Sequence, residues 1–398
     1  MITDRRNIYT VSFGSAIRSF GTGAAWVFSA LYMSNILKVP SLVIGIVFSV
    51  NAITGGIVQI YSGKLGDALG YKRTLLYFSF GNFVSYFLLF ISAHLYLTAL
   101  IFIPLFILNN VMSSLYQPSA NAIISLSSDI PLSGFSVMRI ATNLGWAFGP
   151  AVGGLVISAF GYADMFLIAS LATFSAFVAY TILNDVKGAV SSGGLNISKA
   201  NRNIFFLGAA TIFLFVVVSQ FTVTLSLYAN HIAGLGSASI GFIYLVNGLV
   251  VVLFQYPVYL VVRKMGMWNG MILGTALYII GYFSISLDHS IFQFFASMFV
   301  ITMGENFVTP TGNALVSEIA HGEDVGTYMG IYNFFNSFGR AMGPAYGTML
   351  LTYLMSPYEI WGLAVVPGFI AFTIFYILKA NSKRKSAGIV ATEPALRK

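Results

Sequence analysis

Long apolar stretches separated by short polar segments recur along the whole chain. The stretches are continuous runs rich in Leu, Ile, Val, Phe and Gly, without the period-two alternation of a half-buried strand. A helix needs about 20 apolar residues to cross the hydrocarbon core of a bilayer, so each stretch can cross once. The pattern predicts twelve membrane-spanning helices, spans 1 to 12, at residues 8–37, 42–64, 74–93, 96–126, 133–159, 163–184, 203–230, 238–262, 268–287, 291–319, 326–354 and 358–379.

The composition excludes a soluble protein. Hydrophobic residues make up 57% of the chain and charged residues only 8%, whereas soluble domains carry about 25% charged residues. The same hydrophobicity excludes intrinsic disorder, and the absence of Cys excludes a disulfide framework. The chain is therefore predicted to be an all-α integral membrane protein.

Basic residues are distributed unevenly between the two sides of the predicted spans. With the N-terminus inside, sixteen of the 20 Lys and Arg lie on the inner side, Lys38 alone lies outside, and three Arg lie within spans. The positive-inside rule then places both termini in the cytoplasm of a multi-pass protein of the plasma membrane. Topology and contact with anionic lipid account for the net charge of +8, so no nucleic-acid partner is implied.

A polar linker divides the twelve spans into two sets of six. Residues 187–202 include the sequence SSGGLN, which is typical of a flexible linker. The predicted domains are a six-helix bundle at 1–186 and a second six-helix bundle at 203–380. A basic cytoplasmic tail at 381–398 is expected to be solvated and disordered, with contact to anionic lipid as the alternative.

The two halves repeat one pattern of polar and small residues at an offset of 192–196 residues. The residues Leu31, Tyr32, Ile36, Ser41, Gly45, Asn51, Gln59, Gly70, Pro118 and Asn121 recur as Leu227, Tyr228, Ile232, Ser237, Gly241, Asn247, Gln255, Gly266, Pro310 and Asn313. Because six spans return the chain to its starting side, the halves are parallel repeats about an axis along the membrane normal. Two similar bundles on either side of a central seam can rock, which is the geometry of alternating access.

A glycine-rich polar segment joins spans 2 and 3. It reads GKLGDALGYKR, and its Asp67 is placed to pair with Lys72 or Arg73. We interpret this segment and the next inner loop as gating elements, with the candidate residues Gly63, Asp67, Gly70, Lys72, Arg73 and Asp129.

Glycines four residues apart form a smooth stripe on spans 5 and 11. GWAFGPAVGG in span 5 recurs as GRAMGPAYGT in span 11. Such a stripe lets a neighbouring helix approach closely, and Pro introduces a bend. The motif is interpreted either as helix packing or as a functional signature, and its residues are Gly145, Gly149, Pro150, Gly153, Gly154, Gly339, Gly343, Pro344 and Gly347.

These features together resemble the major facilitator superfamily. The segment from Gly63 to Arg73 resembles the family's signature loop between helices 2 and 3, and the stripe of span 5 resembles the motif of its drug/proton antiporter (multidrug efflux) branch. The resemblance implies two pseudo-symmetric six-helix bundles that work by a rocker switch. The Arg that this branch carries in span 4 is absent from residues 108–112.

Ionisable residues inside spans are costly and therefore suggest function. Glu305 is the one carboxylate predicted at mid-membrane depth and is the candidate proton carrier, beside the buried charges Arg18, Arg139 and Arg340. A substrate that competes for a nearby Arg would favour protonation of Glu305 and couple the two fluxes. The alternatives are a structural ion pair between Glu305 and Arg340, and a gate pair between Arg139 and Asp129.

Neutral polar and aromatic residues within spans are candidates for the lining of a substrate cavity. Because Asn and Gln also bond between membrane helices, only part of the set is expected to face the cavity. The candidates are Trp26, Tyr32, Asn51, Asn109, Asn143, Tyr228, Asn247, Gln255, Asn306 and Asn336.

A secondary transporter explains the duplication, the motifs and the buried charges together. An intramembrane enzyme would need a nucleophile or metal cluster, a channel would need a filter segment, and an ATP-driven pump would need a P-loop; none of these is found. The chain is predicted to be a monomeric transporter of a small molecule with protons as the coupling ion and no cofactor or metal. Export of amphipathic, drug-like or organic-anion compounds is the first interpretation, and import of a small organic anion or sugar-like metabolite is the second.

Overall fold

The computed structural model describes residues 4–128, 131–186, 202–320 and 325–392, and within these ranges all regular structure is helical. The helices of the first half are α1 (Arg5–Asn35), α2 (Ser41–Leu69), α3 (Tyr71–His94), α4 (Ala99–Ser127), α5 (Pro131–Phe160) and α6 (Tyr162–Thr181). Those of the second half are α7 (Arg202–Val218), α8 (Thr224–His231), α9 (Ser237–Met265), α10 (Met267–Ser284), α11 (Ile291–Ala320), α12 (Val325–Tyr353), α13 (Pro357–Ala364) and α14 (Val366–Thr392).

These helices form the twelve predicted spans, because α7 with α8 and α13 with α14 each make one span. Judged by length and composition over the described residues, ten of these twelve spans are long and apolar enough to cross a membrane. The two exceptions are α1 and α12, which are rich in Ser, Thr, Asn and Gly and which carry Arg18 and Arg340. The prediction of an all-helical membrane fold is confirmed.

The segment between spans 2 and 3, which resembles the family's signature loop, is almost entirely helical. Helix α2 continues through Gly63 to Leu69, and α3 begins at Tyr71, so Gly70 alone joins them. Gly70 has φ 89°, and its repeat equivalent Gly266 has φ 87° between α9 and α10. Only glycine adopts this conformation freely, so both halves use one residue to reverse the chain.

Span 7 was predicted to be continuous, but the structure breaks it between α7 and α8. A single 3₁₀ turn, Ser219–Phe221, occupies the gap. Tyrosine hydroxyls from other helices satisfy the carbonyls freed by the break: Tyr282 donates to Val218 O at 3.0 Å and Tyr244 donates to Phe221 O at 2.5 Å. Hydrogen bonds from distant helices therefore compensate the lost helical bonds.

The expectation of a disordered tail was also wrong as far as the described residues extend. Helix α14 continues past the predicted end of span 12 and ends at Thr392. Residues 381–390 are mostly helix-compatible, with Lys, Arg and Ala among them, so the last span extends without a break. The predicted linker lies outside the described residues except for Arg202, which begins α7.

Helices α1 to α6 pack against one another, as do α7 to α14, and we call these sets the N-terminal and C-terminal bundles. We call the end of the molecule where α1 begins the termini end and the opposite end the far end. Contacts between the bundles run mainly along two pairs of helices, α2 with α12 and α5 with α9, and α1 also contacts α8.

The two pairs of helices make equivalent close contacts at the far end. A Cβ on Gly45 of α2 would lie 2.7 Å from Pro344 O of α12, and a Cβ on Gly241 of α9 would clash with Pro150 O of α5. Gly45 and Gly241 are repeat equivalents, and so are Pro150 and Pro344. The bundles are thus in close contact near the far end through a pseudo-twofold pair of backbone contacts.

The glycine stripes of α5 and α12 lie inside the bundles. A Cβ on Gly149 would meet Phe20 O and, at 3.0 Å, Ala24 N of α1; a Cβ on Gly343 would lie 2.9 Å from Val216 O of α7. Gly145 and Gly153 also face the backbone of α1, Gly339 faces α7, and Gly347 meets the side chains of Gln220 and Thr224. Helix packing therefore accounts for these positions, and only Gly154 faces the other bundle, at Ser237 O of α9.

A buried acid at the far end makes the stability of the fold depend on pH. Asp288, between α10 and α11, is 7% exposed; Ser297 Oγ donates to its Oδ1 at 3.1 Å, and its Oδ2 has no hydrogen-bond partner among the described residues. Burial raises the pKa of Asp288 to about 6. The unfolded chain loses this proton near pH 4, so ionisation of Asp288 costs the folded state free energy as the pH rises from about 4 to about 6.

We therefore expect Asp288→Asn to raise the free energy of unfolding by an amount on the order of 2 kcal/mol above pH 6 and to leave it unchanged below pH 4. The amide oxygen still accepts from Ser297. Thermal unfolding midpoints of the purified protein across this pH range measure the effect, with the exposed Asp185→Asn as control. A gain that is equal at pH 4 and pH 8 would contradict the assignment to Asp288 ionisation.

Candidate functional site

A cavity of about 310 Å³ lies between the two bundles. Helix α5 supplies its N-terminal wall, and the broken span 7 with α9, α10, α11 and α12 supplies the C-terminal wall. The lining residues that bear charges or can form hydrogen bonds through their side chains are Arg139, Asn143, Trp146, Ser219, Thr222, Asn247, Gln255, Tyr278, Tyr282, Glu305, Asn306, Thr309 and Arg340. Residues from both halves thus face one space near the middle of the membrane.

Glu305 lies half-buried in the wall of this cavity and is held by neutral groups. It is fourteen residues from the start of α11, or about 21 Å along the helix, which is near mid-depth. Asn247 Nδ2 donates to Glu305 Oε2 at 3.0 Å and also to Thr302 Oγ1 at 3.0 Å. The amide thereby orients the carboxylate toward the cavity without neutralising it.

Two arginines line the same cavity, and neither forms a salt bridge with Glu305. The guanidinium of Arg340 lies 4.5 Å from the ring centre of Phe215, a cation–π contact. Arg139 is exposed on α5, toward the termini end. Among the described residues, no basic nitrogen lies within 4.0 Å of the Glu305 carboxylate. The structural ion pair between Glu305 and Arg340 is therefore not formed in this structure.

Several predicted residues line this cavity, and others were missed. Arg139, Asn143, Asn247, Gln255, Glu305, Asn306 and Arg340 are predicted residues that line it. Asn306 also bonds between helices, because its Nδ2 donates to Val250 O at 3.2 Å. The lining residues that sequence reasoning missed include Trp146, Phe221, Thr222, Tyr278, Tyr282 and Thr309. Trp146 could have been predicted from the polar segment that begins at Arg139, because it lies in the same helix. Phe221 and Thr222 line the cavity only because α7 breaks beside them.

A second, smaller chamber lies within the N-terminal bundle. It measures about 200 Å³ and is lined by Thr22, Trp26, Tyr86, Asn109, Asn110, Ser113 and Trp146. The predicted cavity residues Trp26 and Asn109 belong to this chamber and not to the larger cavity. Trp146 lines both spaces and therefore stands between them.

Four predicted cavity residues line neither space, which corrects those predictions. Tyr32 and Tyr228 are buried in the bundle cores toward the far end, where Tyr32 packs on Phe102 and Tyr228 packs on Trp361. Asn51 is fully buried, and its backbone carbonyl accepts from Asn110 Nδ2 at 2.7 Å. The fourth is Asn336, on α12, which is absent from both linings.

The predicted gating residues are described only in part. Lys72 Nζ donates to Leu183 O, so this residue ties α3 to the segment that follows α6. Arg73 is exposed. The surroundings of Gly63, the side chain of Asp67 and all of Asp129 lie outside the described part of the chain, so the pairs Asp67–Lys72 and Arg139–Asp129 stay predictions.

At the far end, polar side chains connect the two bundles. Asn35 Nδ2 of α1 donates to Asn230 Oδ1 of α8 at 2.9 Å, and His231 Nε2 lies 2.9 Å from Asn35 Oδ1. Asn35 Nδ2 also donates to Tyr162 of its own bundle at 3.0 Å. These bonds and the glycine contacts hold the bundles together at the far end, whereas the exposed Arg139, which lines the cavity, lies on α5 near the termini end.

Comparisons with known proteins agree with this architecture. The family model described as Major Facilitator Superfamily matches residues 11–344 and 268–397. The uncharacterized MFS-type transporter YqjV of Bacillus subtilis (strain 168) is 21% identical over 95% of this chain and 96% of its own length. The multi-drug resistance efflux pump PmrA homolog of Lactococcus lactis subsp. lactis (strain IL1403) is 26% identical over 78% of each chain.

Solved structures show the same fold. The POT family transporter PepTSo superposes with a TM-score of 0.79 at 16% identity, covering 95% of this chain and 98% of that chain. A mutant of the nucleoside transporter NupG gives a TM-score of 0.77 at 15% identity over 94% and 99%. Two bundles of membrane helices around a shared cavity, together with the family match over most of the chain, lead to one conclusion: the chain belongs to the major facilitator superfamily and is a transporter, not an enzyme.

Proposed function

We propose that this secondary transporter carries a small amphipathic organic anion together with a proton. It spans the plasma membrane with both termini in the cytoplasm. Glu305 is the proton carrier, and Arg139 and Arg340 bind the anion. The observation that carries this proposal is the position of Glu305: it lines the same cavity as both arginines, yet it is held by Asn247 and is paired with neither.

The charges of the cavity make proton and anion binding cooperative. With Glu305 ionised, its carboxylate repels an anion bound at the arginines; at ~6 Å and an effective dielectric constant of ~20 the repulsion is about 3 kcal/mol. Protonation of Glu305 removes this repulsion, so the anion binds more tightly to the protonated state. Linkage is reciprocal, and the bound anion favours the protonated carboxyl by the same amount. Both ligands therefore occupy the cavity together, which is the requirement for cotransport.

The contacts between the bundles at the far end support assigning this structure to one state of the transport cycle. With the termini in the cytoplasm, as the distribution of basic residues favours, the structure corresponds to an inward-facing state whose outer gate is closed. Release of the bonds around Asn35 and closure at the termini end would expose the same cavity to the outside.

Export of drug-like compounds in exchange for protons is the second candidate. It is favoured by relatives named as multidrug efflux proteins, which include the MdtG protein of Proteus mirabilis (strain HI4320), 24% identical over 58% of this chain and 60% of its own length. The aromatic lining of Trp146, Phe221, Tyr278 and Tyr282 suits an apolar compound. The two arginines disfavour a cationic drug at this site.

One flux experiment separates the two candidates. The purified protein in liposomes is given an imposed pH gradient and 2-naphthalenesulfonate, an aromatic anion that stays ionised and does not cross bilayers unaided. We expect the probe to accumulate on the alkaline side, because proton and anion move together. Accumulation on the acidic side would support proton exchange and export, and no movement above protein-free liposomes would overturn the assignment of an anionic substrate.

A further inference from the structure

The small chamber of the N-terminal bundle lies next to a half-buried arginine, Arg18, that has no acidic partner among the described residues. Arg18 Nη2 donates to Ser113 Oγ, a residue of the chamber wall, and its guanidinium lies 4.3 Å from the ring centre of Tyr116. Its Nε is buried and has no hydrogen-bond partner among the described residues. The guanidinium thus lies at the edge of the chamber with donor capacity unused.

The sequence supplies no acid near Arg18. The first half of the chain contains no Glu, and its acidic residues lie at or beyond the ends of helices: Asp4, Asp67, Asp129, Asp164 and Asp185. In the described structure, no carboxylate oxygen lies within 4.0 Å of Arg18. A cation without a counter-ion inside a membrane protein costs several kcal/mol, and Ser113 and the Tyr116 ring offset only part of that cost.

The walls of the chamber suit a flat aromatic group. Trp26 is stacked on Phe106 with ring centres 5.4 Å apart and 24° between the planes, so packing fixes its indole. Trp146 lines the chamber too, and it also lines the larger cavity, where Arg340 and Arg139 lie. An aromatic ligand beside Trp146 would therefore have a cation on each side of it, Arg18 at the edge of the chamber and Arg340 or Arg139 in the larger cavity.

We infer that Arg18 and the small chamber form a second anion subsite, and that the substrate is an aromatic dianion spanning both bundles, with one oxyanion at Arg18 and the other in the larger cavity. This inference rests on the proposed function, since the second oxyanion occupies the site assigned there. A ligand held by both bundles binds across the seam at which they move, so its release depends on their relative position.

The test compares aromatic anions with one and two carboxylates. Dissociation constants of the purified full-length protein are measured by calorimetry for 2-naphthoate and for a series of dicarboxylates of increasing length: terephthalate, 2,6-naphthalenedicarboxylate and 4,4′-biphenyldicarboxylate. We expect at least one dicarboxylate to bind at least tenfold more tightly than 2-naphthoate. Arg18→Gln should abolish that advantage and leave the affinity for 2-naphthoate within about twofold, which also shows that the variant is folded.

The matched control is the arginine of the larger cavity. Arg340→Gln should weaken the binding of the monoanion and of the dianions alike, because both use that site. If Arg18→Gln left the dicarboxylate affinities unchanged while naphthoate binding still depended on Arg340, the second subsite would be overturned but the proposed function would not. Absence of binding by every anion would overturn the proposed function as well. If Arg18→Gln does not fold, Arg18→Lys gives the same comparison, with an expected severalfold loss for dianions alone.

Discussion

Replacing Glu305 by Gln is expected to abolish proton-driven accumulation of substrate while leaving downhill exchange intact. The amide resembles the protonated carboxyl, keeps an oxygen that accepts from Asn247, and removes the charge that repels an anion at Arg340. The variant should therefore bind anions with an affinity that no longer depends on pH, and it should lose at least tenfold in concentrative transport. Counterflow of labelled substrate in liposomes without a pH gradient should persist.

The matched control for this substitution lies on the same helix. Glu318 is exposed near the end of α11 and lines neither the cavity nor the small chamber. Glu318→Gln should therefore retain proton-driven accumulation. If Glu305→Gln kept the full response to a pH gradient, the proton would bind elsewhere. Loss of counterflow together with accumulation would indicate damage to substrate binding or to folding, and the thermal unfolding midpoint separates these two causes.

Cross-linking the two bundles at the far end is expected to stop transport almost completely. Asn35 and Asn230 are joined by a direct side-chain hydrogen bond across the seam, and the chain has no native Cys to compete for reagent. In the double variant Asn35→Cys and Asn230→Cys, a short bifunctional thiosulfonate reagent should hold the far end closed. Transport should fall at least tenfold and return on reduction, because the cavity cannot open outward while the link is present.

A second cysteine pair controls for the chemistry of the cross-linker. Asn35 also bonds Tyr162, but within the N-terminal bundle. Cross-linked Asn35→Cys and Tyr162→Cys should therefore transport at the rate of the untreated variant, since the bundle moves as a unit. Continued transport by the cross-linked Asn35–Asn230 pair would contradict a cycle in which the bundles separate at this end.

Features that depend on the local sequence were predictable. The lengths of the apolar stretches predicted the ends of most helices to within a few residues. The repeat paired Gly70 with Gly266, and the structure gives these two residues nearly equal φ angles. Mid-depth placement of Glu305 followed from counting along its helix. These predictions succeed because length, turn geometry and depth depend on neighbouring residues along the chain.

Features that depend on contacts between distant helices were not predictable. The break after Val218 has no Pro or Gly to mark it and exists because Tyr282 and Tyr244 satisfy the freed carbonyls. Tyr32 and Tyr228 carry the same polar group as the cavity tyrosines, yet packing buries them in the bundle cores. Which face of a span meets the seam depends on the rotation of each helix, and a uniformly apolar helix gives little signal of that rotation.

Two-sided labelling of one cavity position tests most directly whether the cavity opens to one side at a time. Thr309 lines the cavity, and Thr309→Cys places a single thiol there because no other Cys is present. A membrane-impermeant maleimide is applied to vesicles of either orientation, at rest and during substrate transport under a pH gradient. We expect labelling from the termini face alone at rest and from the far face only during transport. Equal labelling from both faces at rest, or from neither under any condition, would contradict a shared cavity that opens to one side at a time.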